Sequence, residues 1–193
     1  MGTSEFSRLG EGHHGIDSYK SLAWLAAPEF WFIGMESIPE TRAQRKLLVV
    51  DDQRAVLETL GAMLTSAGYR VVCVPSGAGA LAAARLTAFD GALIDVFMPE
   101  LDGFETALRL REQSARRGRT IRMWHITGLN SPEVESRSAQ CGMMGLILKP
   151  FSLVDLCKRL EEGLTAPVPP VAPEIAATRS PFPEKEDAVK SAG

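Results

Sequence analysis

Five short apolar runs, each followed by a stretch of helical spacing, constrain this chain more than any other feature of its sequence. They are LLVV (Leu47–Val50), RVVCV (Arg70–Val74), ALI (Ala92–Ile94), IRMWHI (Ile121–Ile126) and LIL (Leu146–Leu148). Runs this short and this continuous suit strands covered on both faces. After the first run, Val56, Leu57, Leu60, Met63, Leu64 and Ala67 recur at helical spacing, and Gly68 supplies a stop. Ser76 offers a cap to an alanine-rich helix running to about Ala88, and a third helix is expected from Gly103 to about Gln113. Ser131-Pro132-Glu133 puts a cap, a proline and an acid at the start of a fourth. Ser152 caps a last helix with the apolar face Leu153, Leu156, Cys157 and Leu160. Strand–helix alternation repeated in this way predicts an α/β, doubly wound fold. Its five-stranded parallel sheet carries helices on both faces and is built from right-handed βαβ units.

The pattern occupies residues 46–163. Residues 1–45 read as an N-terminal extension, expected to be poorly ordered. Within it, Met35 is a candidate initiation site, and the rival reading is a docking arm anchored by Trp24, Phe30, Trp31 and Phe32. Residues 164–193 read as a disordered tail, because six of the chain's twelve prolines lie beyond Thr165 and little there can offset chain entropy.

A net charge of −3 and a pI near 5.7 give no electrostatic reason to expect nucleic acid or an anionic membrane as partner. Six arginines between Arg109 and Arg122 read as the solvated end of a helix. Pro28 and Glu29 interrupt the most apolar stretch, Ser21–Met35, so no membrane span is expected. Three cysteines without metal-ligand spacing suit reduced thiols and a cytoplasmic location. GAGALA (Gly77–Ala82) echoes a dinucleotide fingerprint but follows the second strand rather than the first.

Parallel strands deliver their C-terminal ends to one edge, where ligands of open α/β sheets gather. At those ends stand Asp51 and Asp52, Asp95, Thr127 and Lys149. Three converging carboxylates repel unless a hard cation neutralises them, and Mg²⁺ suits oxygen ligands. A lysine and a hydroxyl opposite it complete a cradle for an anion of several oxygens, for which phosphoryl is the natural candidate.

KLLVVDD, ALIDVFMPELDGFE, HITG and LILKPF, in this order and at these separations, resemble the receiver domain of bacterial two-component response regulators. The resemblance covers about Lys46 to Glu162 and implies a flavodoxin-like receiver fold. It implies that Asp95 is the phosphoacceptor, served by a sensor histidine kinase or a phosphotransfer protein. It further implies that Asp51, Asp52, Asp95 and the backbone carbonyl of Phe97 hold Mg²⁺, that Thr127 bonds the phosphoryl group and that Lys149 pairs with its oxygens. Lys149-Pro150 resembles the family's cis peptide. The chain is then a single-domain phosphoacceptor rather than an enzyme. A downstream protein would dock on the fourth helix, fifth strand and fifth helix, with no direct DNA binding.

The sequence departs from the family where an aromatic residue commonly stands three positions before the lysine: here that residue is Leu146. His125 shares a strand face with Thr127 by alternation, and its two readings are a substitute switch or a satisfied core histidine. Phe97 and Leu129, both apolar, flank the expected route of hydrolytic water, which implies a comparatively long-lived acyl phosphate. The alternatives are a receiver-like scaffold without phosphorylation, a phosphate shuttle or sink, and an enzyme of the haloacid-dehalogenase type. The last calls for an aspartate where Phe97 stands.

Overall fold

A central strand must be apolar on both sides, and β1 (Lys46–Val50) and β3 (Gly91–Asp95) are: Leu47 to Val50 and all of β3 are buried. The structure is a computed structural model and describes residues 40–173. Its strands form one parallel sheet in the order β2-β1-β3-β4-β5, with β2 at Arg70–Val74, β4 at Arg122–Thr127 and β5 at Gly145–Leu148. The two edge strands are the more exposed ones, as pairing on one side only requires.

The helices are α1 (Glu40–Gln44), α2 (Arg54–Ser66), α3 (Gly77–Leu86), α4 (Gly103–Ala115), α5 (Pro132–Gln140) and α6 (Leu153–Thr165). Alternate strand residues feed two cores. Leu48, Val50, Ala92, Ile94 and Met123 meet Phe104, Leu110 and Val134 on the α3/α4/α5 side. Leu47, Val49, Leu93, Trp124 and Ile126 meet Leu60, Leu64, Leu156 and Leu160 on the α2/α6 side. Ser76 caps α3 through the N–H of Gly79, and Ser152 caps α6 through that of Asp155. Gly68, at φ 97°, ends α2 in backbone that side chains rarely adopt. Ser131 precedes α5 as expected, but its hydroxyl bonds Glu133 and leaves the helix N–H groups alone.

Two boundaries differ from the reading of the sequence. Helix α1, at Glu40–Gln44, precedes the expected start at Lys46 and is held to the body. Arg42 pairs with Glu161 of α6 and lies over the Tyr69 ring, while Arg45 pairs with Asp90. A five-residue helix is too short to show an amphipathic period, so composition alone could not include it. At the other end, the Pro-rich stretch does not leave the body at once. The Ala172 N–H bonds the Gln140 carbonyl at 2.8 Å, Arg122 bonds the Ala166 carbonyl at 3.0 Å, and Arg111 reaches Pro169 and Gly142. These bonds use the segment's backbone, which hydropathy does not report. The Trp24–Phe32 aromatic arm, the Met35 start and the tail from residue 174 lie outside the described residues.

The arginine run is structural where its partners are seen. Arg109 and Arg116 form i,i+4 pairs with Glu105 and Glu112, and Arg117 caps the end of α3 through the carbonyls of Ala84 and Arg85. Gly77 to Ala82 lie within α3, with Gly77 and Ala80 buried. Among the described residues, no helix is long and apolar enough to cross a membrane.

Candidate functional site

Side chains along a strand alternate between faces. Val49, Leu93 and Ile147 all enter the α2/α6 core. Two residues further on, the same alternation carries Asp51, Asp95 and Lys149 off their strands together at the C-terminal edge. There the Lys149 Nζ donates to Asp51 Oδ2 at 2.6 Å and to Asp95 Oδ1 at 2.8 Å. The other carboxylate oxygens are held by backbone: Asp51 Oδ1 accepts from the Gln53 N–H at 2.8 Å, and Asp95 Oδ2 from the Phe97 N–H at 3.0 Å.

Asp51 and Asp95 are 2% and 3% exposed, and each is paired and hydrogen-bonded, as burial of a polar group requires. The Lys149 side chain remains 22% exposed and forms the mouth of the site. Two carboxylates sharing one ammonium leave a net negative charge, and half-buried Asp52 adds to it. The Lys149-Pro150 bond that follows is cis.

The loop after Asp95 is shaped by close backbone contacts. Val96, Phe97 and Met98 are buried, the Leu101 N–H bonds the Pro99 carbonyl at 2.7 Å, and the Gly103 N–H bonds the Val96 carbonyl at 2.9 Å. A Cβ on Gly103 would stand 2.3 Å from the Asp95 carbonyl oxygen and 2.8 Å from the Val96 Cα, so only glycine fits. Asp102 has a role that its sequence position suggests only as a turn: its Oδ1 accepts from the Glu105 N–H at 2.8 Å and caps α4.

Thr127 ends β4 at the same edge, one residue past Ile126, which pairs with Asp95. Thr127 is buried, and its hydroxyl accepts from the Leu129 N–H at 3.1 Å. Leu146 is half-buried on β5, beside His125 in the register.

His125 is fully buried. Its Nε2 lies 3.2 Å from the Gly103 carbonyl and its Nδ1 lies 2.9 Å from the Ser138 hydroxyl. A carbonyl only accepts, so Nε2 carries the proton and Nδ1 accepts from Ser138. Burial pushes its pKa down to about 4, against a small rise from the Gly103 bond, so the ring is neutral at pH 7. This is the satisfied core histidine of the two readings.

The structure thus brings Asp51, Asp95 and Lys149 together, with Asp52, Phe97 and Thr127 at the C-terminal ends of the same group of strands. Among the described residues, no three Asp, Glu, His or Cys side chains are gathered as a ready metal cage. Lys149 stands where Asp51 and Asp95 converge. The donors are nonetheless hard oxygens with excess negative charge, which suits a cation such as Mg²⁺ and no thiolate-seeking metal.

Comparison with known proteins agrees with the fold. Residues 47–161 match the response regulator receiver domain family. "Response regulator MprA" of Mycobacterium bovis is 33% identical over 134 residues, covering 69% of this chain and 56% of that protein. "Virulence sensor protein BvgS" of Bordetella pertussis is 33% identical over 153 residues, covering 76% of this chain and 12% of that protein. The chain therefore spans between about one eighth and just over half of these relatives. Among solved structures, chemotaxis protein CheY4 of Vibrio cholerae superposes with a TM-score of 0.57 at 33% identity, covering 62% of this chain and 98% of that one. The receiver domain of sensor histidine kinase PA1611 from Pseudomonas aeruginosa, with magnesium coordinated in its active-site cleft, gives 0.57 at 28% identity over 63% and 98%. With its five-stranded parallel sheet and an acid–lysine cluster at the edge, this chain belongs to the response regulator receiver domain family.

Proposed function

We propose that Asp95 accepts a phosphoryl group from a phosphohistidine on a sensor kinase or phosphotransfer protein, and that the chain then changes its hold on a protein partner. A carboxylate oxygen of Asp95 attacks phosphorus, the P–N bond breaks, and its electron pair leaves on the donor imidazole. The observation that carries this reading is the Lys149 ammonium bonded to both buried acids. An ammonium already within 2.8 Å of the acceptor oxygen stands where charge on the transferred group would develop. The Thr127 hydroxyl, which accepts from the Leu129 N–H, keeps its own proton and would donate it to a phosphoryl oxygen.

Mg²⁺ would be held by Asp51, Asp52, Asp95 and the Phe97 carbonyl, and would neutralise the anionic oxygens as they approach the acids. On this reading the chain acts in the cytoplasm as a phosphoacceptor rather than as an enzyme. Phe97, in place of a second aspartate, counts against a dehalogenase-type hydrolase. The partner face would be α5, β5 and α6. Between β5 and α6 lies a groove of about 780 Å³ floored by Trp124, Leu146 and Phe151 and rimmed by Lys158 and Arg159. Leu148, which lines it, is 39% exposed.

Leu146 supports a second reading, a receiver that binds partners without phosphorylation or that only stores or passes on phosphate, since no aromatic side chain stands there to report the modification. Incubating the full chain with Mg²⁺ and a small acyl-phosphate donor separates phosphoacceptance from the unphosphorylated scaffold. Intact mass should rise by one phosphoryl group, the adduct should be lost in Asp95→Asn, and chelation of Mg²⁺ should prevent it. An unmodified wild-type chain would favour the scaffold.

A further inference from the structure

Beyond Thr165 the chain has little choice of backbone. Proline fixes its own φ at about −65° and pushes the residue before it toward extended ψ. In APVPPVAP (Ala166–Pro173) every residue except Val171 is a proline or precedes one. Ala166, where α6 stops, sits at φ −73° and ψ 156°, the dihedrals of a polyproline II helix. Such a helix repeats every three residues and makes no hydrogen bonds of its own.

The contacts of this segment follow the same period. Arg122 Nε donates to the Ala166 carbonyl at 3.0 Å, and Arg111 Nη1 to the Pro169 carbonyl at 3.4 Å. The Ala172 N–H donates to the Gln140 carbonyl at 2.8 Å. Residues 166, 169 and 172 thus form one edge, laid on the body. A Cβ on Gly142 would stand 2.7 Å from the Pro169 carbonyl oxygen, so the two backbones touch there. Pro167, Pro170 and Pro173 are exposed, whereas the other five residues of the segment are half-buried. At about 3.1 Å per residue, the outer edge is a row of prolines about 9 Å apart. Arg122 opens β4 and Gly142 precedes β5, so the segment crosses the N-terminal edge of the sheet, opposite the edge that holds Asp95.

We propose that residues 166–173 are a ligand, presented by the body to a protein domain with an aromatic-lined groove of the kind that reads PxxP segments. Pro167–Pro170 and Pro170–Pro173 are two overlapping PxxP units along the exposed edge. Aromatic rings of the partner pack against these prolines. Its ring N–H or O–H groups donate to carbonyls that a polyproline II helix leaves solvated. Arg111, Arg122 and Gln140 are positioning residues: they hold the inner edge, so the ligand is ordered before the partner arrives. The surface is remote from Asp95, and its use does not rest on the phosphoacceptor reading.

Biolayer interferometry of the full chain over a panel of immobilised SH3 and WW domains tests this. At least one domain should bind saturably, and Pro170→Ala, at an exposed position shared by both units, should weaken that binding at least about tenfold. Pro167→Ala, which breaks one unit alone, should weaken it less. Arg111→Ala should weaken it about threefold by releasing the inner edge. Thermal unfolding of each variant reports separately that the body stays folded. No saturable binding to any domain, or binding indifferent to both proline substitutions, would overturn the proposal. Unchanged or tighter binding to Arg111→Ala would overturn presentation by the body, since the segment would then be read free or be hidden by its docking.

Discussion

Acidification below neutral pH should weaken this fold through one ring, His125. The group is fully buried, and its pKa falls from 6.5 in the unfolded chain to about 4 in the folded one. Burial is the main cause; Arg137 on α5 depresses it further and the Gly103 carbonyl opposes. A depressed histidine pKa means that the unfolded chain binds the extra proton first. Stability from this group is thus constant above about pH 6.5 and is lost as pH falls toward 4. Weighting the two protonation equilibria gives a loss of about 2 to 3 kcal/mol between pH 7 and 4.5. Urea unfolding followed by tryptophan fluorescence at a series of pH values measures it, and His125→Phe is the reference. That variant leaves the Ser138 hydroxyl and Gly103 carbonyl unpaired and is less stable at pH 7, but it has nothing to titrate at this position. The carboxylates contribute equally to both chains, so the wild-type curve should fall more steeply. Parallel curves from pH 7 to 4.5 would refute the buried neutral ring.

Gly103→Ala should cost at least about 2 kcal/mol in urea unfolding and slow phosphorylation, since its Cβ would stand 2.3 Å from the Asp95 carbonyl oxygen. Ser152→Ala removes the cap accepting from Asp155 and should cost about 1 kcal/mol while leaving phosphorylation unchanged. Arg111→Ala frees the Gly142 and Pro169 carbonyls, and limited proteolysis should then cut earlier within residues 166–173. With Phe97 buried and Leu129 half-buried, the acyl phosphate on the isolated chain should outlast seconds; decay within seconds would count against that shielding.

The strands and the order of the helices were legible because burial writes itself into hydropathy. Leu47–Val50 and Gly91–Asp95 can only be continuous apolar runs if both faces are covered. The convergence of Asp51, Asp95 and Lys149 followed from parallel topology together with strand alternation. Thr127 stands at the same edge, but which neighbour its hydroxyl takes depends on loop geometry that no spacing reports. The same holds for the Asp102 cap, where an Asp-Gly pair reads equally as a turn. Helix α1 and the docked residues 166–173 were missed because ion pairs and backbone hydrogen bonds hold them, and these carry no periodic signature. His125 left two readings in the sequence, and two bond distances chose between them.

Asp95, rather than Asp51 or Asp52, is the carboxylate expected to take the phosphoryl group. Borohydride reduces an aspartyl phosphate to homoserine, so treating the chain after incubation with Mg²⁺ and an acyl-phosphate donor, then sequencing its peptides by mass spectrometry, marks the acceptor. Homoserine at position 95 alone is the predicted result. Homoserine at position 51 or 52, or an unconverted peptide spanning Gly91–Gly103, would contradict it.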